Sequence, residues 1–273
     1  TNTVGTNMLV SASTSMTAAE EEEEGSAKKR SKLGQGKLEL KSQWLKIPDL
    51  LPKGGLDACA RGDLATLKTL VESGEWDPRY FVCKEESTPL MWAASGGHVH
   101  VIKWLVSTYG TSLNDQNRVG RTAIMFACKY RHAPAVRWLV ENGAELTLRA
   151  SDDTSVFEWA VYGGSLEIIT YLEAQPAIHI HSKNAFGCGA VHWAAARGDV
   201  AVLRWLYEKG FDMSVVNGAQ HDALNKAAWR GHTEALDWLL YDEGGPKLER
   251  PAGLEYMSKA NGNTGTGTTR AGS

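Results

Sequence analysis

The chain has 273 residues and a formal net charge of −3, with 42% hydrophobic and 22% charged residues, an ordinary balance for a protein that packs a sizeable core. Such a charge supplies no global field for nucleic acid, and no apolar run approaches the 18 or more residues that a membrane span needs. The four cysteines, Cys59, Cys83, Cys128 and Cys188, are far apart and form no C-x-x-C pair, which argues against a disulfide framework or a zinc site and for a reducing compartment.

The N-terminus lacks a basic start followed by a continuous apolar core, so no signal peptide is expected. The chain does not open on Met, and the natural start is expected upstream or at Met8 or Met16. Residues 1–36 are rich in Thr, Ser, Ala and Gly, with an acidic run at Glu20 to Glu24 and a basic cluster from Lys28 to Lys32; such a composition predicts disorder. The cluster reads either as a nuclear import signal or as a solvated charge run. Residues 37–54 carry Leu38, Leu40, Trp44, Leu45, Ile47 and Leu50, with Pro48 and Pro52 stopping any long helix, and are expected to cover the N-terminal end of the periodic region that starts at residue 55.

In that region, residues 87–110, STPLMWAASGGHVHVIKWLVSTYG, predict a turn, a short helix, a break at Gly97 and His98, and a second amphipathic helix with Val101, Ile102, Leu105 and Val106 on one side. Taking Gly97 as a mark, the matching positions are Gly62, Arg131, Gly164, Gly198 and Gly231, at intervals of 35, 34, 33, 34 and 33 residues. Small or thiol side chains stand three and four residues before most marks, as at Ala58 and Cys59 or Ala127 and Cys128, and Leu stands eight residues after every mark. Units of this kind cannot bury an apolar side alone and must stack in a row.

At these residues the chain resembles the ankyrin repeat family, whose signature T-P-L-H-x-A-A-x-x-G-H is closest in TPLMWAASGGH, from Thr88 to His98, and survives in parts as AVHWAAARGD, ALNKAAWRGH and TAIMFACKYRH. The resemblance covers about residues 50 to 245. It implies an all-α solenoid of about six helix-turn-helix units over residues 55–245, with short β-hairpin loops between them. The signature His survives only as His192, the turn Pro only as Pro89, and the mark becomes Arg131 in one unit, so looser turns are expected there. After Leu240, Gly244, Gly245, Pro246 and Pro251 end the pattern, and residues 246–273 read as a flexible tail.

Two aromatic rows run through the repeats. Seven residues after the mark stand Trp104, Trp138, Tyr171, Trp205 and Trp238, where packing is expected over base stacking because an exposed row forfeits ~25 cal/mol per Å² of apolar area. Five residues before it stand Trp92, Phe126, Trp159 and Trp193, open between packing and a partly exposed floor. The positions one and two residues before each mark break the helical apolar pattern and are expected to face solvent. Among them Lys129, Tyr130, Tyr162, Arg197, Trp229 and Arg230 include residue types that carry binding energy. The resemblance implies that these positions and the loop tips, with Arg118, Val119, Arg121 and Phe186, form a concave binding surface. His179 and His181 are too few for a metal site, and His98, His132 and His232 are expected to be structural.

No Walker loop, G-x-G-x-x-G, H-E-x-x-H or G-x-S-x-G is present, so neither catalysis nor a cofactor or metal is expected. The expected function is that of a non-catalytic scaffold or adaptor binding another protein, as a monomer, cytoplasmic or nuclear, with no nucleic acid or membrane as partner. The alternative is a regulatory or substrate-docking part of a larger enzyme.

Overall fold

A computed structural model describes residues 53–79, 83 and 85–249. The acidic and basic runs of residues 1–36, the apolar segment of 37–52 and the tail from 250 onward therefore lie outside the described residues. The described residues form twelve α-helices in six antiparallel pairs. The pairs are α1 (Lys53–Arg61) with α2 (Leu64–Glu72), α3 (Pro89–Ser95) with α4 (Val99–Tyr109), and α5 (Ala123–Lys129) with α6 (Ala133–Glu141). They continue with α7 (Val156–Gly163) and α8 (Leu166–Glu173), α9 (Ala190–Arg197) and α10 (Val200–Glu208), then α11 (Ala223–Arg230) and α12 (Thr233–Tyr241).

Helix starts follow side-chain chemistry. Thr88, Ser155 and Asp222 accept from the backbone N–H three residues on and so cap α3, α7 and α11, while Asp63 and Asp199 do the same for α2 and α10. The residue at the third helical position bonds back: the carboxylate of Glu158 accepts from the Ser155 N–H (2.7 Å), the amide oxygen of Asn225 from Asp222 (3.1 Å) and Nδ1 of His192 from Gly189 (3.2 Å). His192 is therefore one solution among several to the same problem, an unpaired donor at a helix start.

Each pair turns at its mark in the left-handed region, with φ between 72° and 76° at the five glycines. Arg131 adopts φ 68° and keeps the same turn bonds, Arg131 N to Cys128 O (3.1 Å) and His132 N to Ala127 O (3.0 Å). The looser turn expected there is not found. Its guanidinium donates to the Gly164 carbonyl (3.0 Å), which offsets the conformational cost of a non-glycine residue.

The units stack in a row and share one core. The small residues three and four before each mark are buried, as are Leu105, Leu139, Leu172, Leu206 and Leu239. Cys59 and Cys128 behave as small hydrophobes: both are fully buried free thiols, and burial pushes the Cys59 thiol up to about 12 and that of Cys128 up as well. First helices α1, α3, α5, α7, α9 and α11 touch their neighbours all along the row more closely than the second helices do. The row therefore bends toward the first helices, which line its inner side.

The connecting segments are hydrogen-bonded turns bearing one isolated bridge, Lys183 to Gly189, and no strands among the described residues. Buried Asn117, Asn184 and Asn217 each use the side-chain oxygen to accept two backbone N–H groups across the turn, at 2.9–3.2 Å, so the side chain does what a paired strand would otherwise do. Successive tips are joined by backbone bonds from Arg118 to Glu85, Ser151 to Val119, Ala185 to Asp152 and Gly218 to Phe186.

Candidate partner-binding face

The inner side combines first helices and turn tips, and its chemistry centres on Trp159 in α7. The guanidinium of Arg121, from the preceding tip, lies 4.6 Å from the Trp159 ring centroid, and Lys129 Nζ, from α5, lies 5.7 Å from it and 5.3 Å from the ring of Tyr130. Tyr162, one turn along α7, meets Trp159 edge-on at 6.0 Å and Trp193 of α9 at 5.6 Å. A second group stands at the C-terminal end: Trp229 of α11, 45% exposed, packs against His221 at 4.1 Å with Lys226 Nζ 5.5 Å from its ring.

The sequence-predicted residues thus divide. Lys129, Tyr130, Tyr162 and Arg121 come together around Trp159, and Trp229 stands beside Arg230, exposed, on α11. Arg118 and Phe186 are exposed on separate tips, and Val119 is half-buried with its carbonyl engaged by Ser151. Arg197 is half-buried, its side chain lying across the Gly164 turn instead of standing clear on the inner side. The aromatic row of the first helices is graded: Trp92 is 36% exposed, Phe126 and Trp193 are half-buried and Trp159 only 8% exposed. Packing and partial exposure thus coexist along this row, and Trp159 is the ring over which Arg121 and Lys129 close.

Lys226 and His221 escaped prediction. Lys226 falls in register with the row Trp92, Phe126, Trp159 and Trp193, and that register was the available signal; His221 sits on a tip whose turn conformation no periodicity reveals.

Charge separates the two sides of repeats three to six. The first helices carry Lys129, Arg197, Lys226 and Arg230 against one acid, the fully buried Glu158. The second helices carry Arg137 and Arg204 against Glu141, Glu167, Glu173, Glu208, Glu234 and Asp237. Three acids at the tips are engaged locally: Asp152 on Thr154, Asp153 on Arg149, Asp222 on the start of α11.

On the outer side the other aromatic row is packed by a repeating step. Trp104, Trp138 and Trp205 are half-buried and Trp238 buried, and cations from the preceding unit lie over the next ring: Arg137 over Tyr171 (4.8 Å) with a bond to Glu167, Arg204 over Trp238 (5.5 Å) with a bond to Asp242. His98, His132 and His232 start second helices and send Nε2 to the carbonyls of Ala60, Ser95 and Ala196 of the preceding unit, at 2.8–3.0 Å. Among the described residues no three His, Cys, Asp or Glu side chains converge on a metal position, and no helix is long and apolar enough to cross a membrane.

Comparison with known proteins agrees with this architecture. Family models described as ankyrin repeats match residues 56–150 and 191–240. Palmitoyltransferase AKR1 of Lachancea kluyveri is 26% identical over 57% of this chain and 26% of that protein. Alpha-latrotoxin-Lg1a of Latrodectus geometricus is 31% identical over 60% of this chain and 14% of the toxin, and human ankyrin repeat domain-containing protein 63 is 31% identical over 54% and 41%. The chain thus spans about a quarter or less of the first two of these relatives. A chain in the solved complex of the predatory endopeptidase Bd0816 from Bdellovibrio bacteriovorus with immunity protein Bd3460 superposes with a TM-score of 0.54 at 26% identity, over 68% of this chain and 95% of that one. Six stacked helical pairs turning on left-handed marks, and two family models that together match just over half of the residues, lead to one conclusion: the chain belongs to the ankyrin repeat family.

Proposed function

We propose that the chain is a non-catalytic interaction module that binds another protein on the inner side of the row. The observation that carries this reading is the exposure of Tyr130 and Trp229, 48% and 45%, beside Tyr162 and Arg230 on a side otherwise built for packing. Large aromatic and Arg side chains give up apolar burial where they are exposed, and they are the types that dominate interface energies. The solved chain of similar architecture comes from a protein–protein complex, in keeping with this. The test is co-purification with the wild-type chain and with Tyr130→Ala, Tyr162→Ala, Trp229→Ala and Arg230→Ala, each checked by thermal melting. Loss of the same partners from folded variants supports the reading, and unchanged recovery removes the surface.

A second reading rests on the palmitoyltransferase match, in which a chain like this one makes up about a quarter of an enzyme. Here the module docks a substrate or regulator for a catalytic part encoded in the same polypeptide. A transcript that encodes no further domain disposes of it.

A further inference from the structure

We propose that the inner side is built for an extended acidic segment of a partner protein that also carries an aromatic or aliphatic anchor. This rests on the reading of the inner side as the partner surface and names the partner's chemistry. Three cations, Lys129, Lys226 and Arg230, stand on the first helices of repeats three and six, Arg197 being drawn across the Gly164 turn, while the one acid on the first helices of repeats three to six, Glu158, is sealed in the core. The second helices of the same repeats carry the opposite balance, so the inner side stands out in a chain whose formal net charge is −3. Carboxylates laid along this side meet these cations, whereas a basic partner finds no exposed acid on the first helices of repeats three to six.

The rings between the cations set the second requirement. Trp159 is covered by Arg121 and Lys129, while Trp229, Tyr130 and Tyr162 leave surface open. An apolar side chain seated against Tyr130 and Tyr162, or against Trp229, is desolvated among polar groups, the arrangement in which a few contacts carry the binding energy. The reach follows from the stacking. Four helices at about 8–10 Å spacing span roughly 30 Å, which an extended chain covers in about nine residues. A single-stranded nucleic acid is the poorer fit, since it carries a charge on every nucleotide and the first helices of these four repeats offer three cations on the inner side.

The test uses the full chain. Random twelve-residue peptides displayed on phage are selected on the wild type and on the Lys129→Glu, Lys226→Glu, Arg230→Glu triple variant, whose sites are on helix surfaces. The wild type is expected to enrich peptides with net negative charge and an aromatic or aliphatic residue, and the triple variant to lose them. A fluorescein-labelled copy of one such peptide is expected to bind the triple variant at least tenfold more weakly and to weaken with added NaCl. Enrichment of neutral or basic peptides, no enrichment at all, or equal binding of the acidic peptide to both chains overturns the proposal. So does tighter binding of a twelve-nucleotide oligo-dT than of the peptide. A chain with Glu20 to Glu24 changed to Gln separates a partner from self-occupancy: unchanged peptide affinity supports a partner, and a tenfold gain assigns the surface to the chain's own acidic run and overturns the assignment. Failure here with the aromatic variants still losing their partners leaves the interaction module standing and removes only the acidic chemistry.

Discussion

The imidazole of His132 occupies the space that a Cβ on Gly97 would need: a methyl built there would sit 2.4 Å from Nδ1. The same pairing recurs between Gly62 and His98 and between Gly198 and His232. In each case the ring belongs to the following unit and reaches past the glycine to a carbonyl at the end of the preceding first helix. Where the following unit has Ser165 in place of the histidine, the mark is Arg131, and in the last described unit a Cβ on Gly231 meets nothing within 4 Å. The glycine at the mark thus answers two demands, a left-handed turn within its own unit and room for the next one.

Substitution separates the two demands. Gly231→Ala is expected to cost about 1–2 kcal/mol, the penalty of a side chain in the left-handed region alone. Gly97→Ala adds a clash with a ring held between two units and is expected to cost about 3–5 kcal/mol. In a His132→Ser background the extra cost of Gly97→Ala should disappear, leaving about the Gly231→Ala value. Urea unfolding of the four chains measures the coupling directly.

Among the described residues, His192 ties a helix start to the next unit through a single ring. Nδ1 accepts from Gly189, and Nε2–H donates to the His221 carbonyl at 3.1 Å. His192→Ala removes both bonds and leaves a cavity, for an expected loss of about 2–4 kcal/mol. His192→Asn reproduces the arrangement that Asn225 makes with Asp222 and gives up only the reach to His221, for a loss about 1 kcal/mol smaller than that of the Ala variant. Thermal melts of the three chains decide the order.

The period made the row of six pairs and its core legible, because every apolar position recurs at the same distance from the mark. The aromatic rows were legible as rows but not as environments. Trp92 and Trp159 share a register, yet one is 36% exposed and the other 8%, since Arg121 and Lys129 close over Trp159 from other elements. Trp76 was not legible at all: it lies beyond α2 outside any repeat position and is buried against Gly55, whose absent side chain makes the room. Arg197 looked like an inner-side residue by register, but the turn at Gly164 offers it a closer resting place. Tip conformations such as that of Asn217 depend on one side chain bonding two backbone groups, a geometry that spacing does not encode.

The outer steps carry little stability despite their number. Arg204 lies over Trp238 and bonds Asp242, but its side chain is 45% exposed, and an exposed pair with an exposed cation–ring contact contributes about 1 kcal/mol or less each. Arg204→Ala is expected to cost about 1 kcal/mol in low salt and less in about 1 M NaCl. Leu206, by contrast, is fully buried in the shared core, and Leu206→Ala is expected to cost about 2–5 kcal/mol at either salt concentration, which denaturant unfolding at both concentrations checks.

The pH dependence of stability pits two buried groups against each other. Burial raises the Glu158 carboxyl from 4.5 to about 7, against the lowering effect of the two Ser155 bonds and of Arg149, whose guanidinium lies 4.0 Å from Oε2. Its folded value is above its unfolded one, so its contribution is fully present below about pH 4.5 and is lost as pH rises through 7. Burial lowers His192 from 6.5 to about 4, so its contribution is present above 6.5 and is lost as pH falls toward 4. The two slopes oppose across pH 4.5–6.5 and flatten the stability of the wild type there. Glu158→Gln keeps an acceptor for the Ser155 N–H and removes the ionisation. It is expected to leave a chain whose stability rises with pH over that window, and one more stable than the wild type at about pH 8 by up to about 3 kcal/mol, since a tenfold change in proton affinity is worth about 1.4 kcal/mol. Urea unfolding of both chains at pH values from about 4.5 to about 8 reads the slopes; parallel profiles would mean that Glu158 ionises in the folded chain as it does in water.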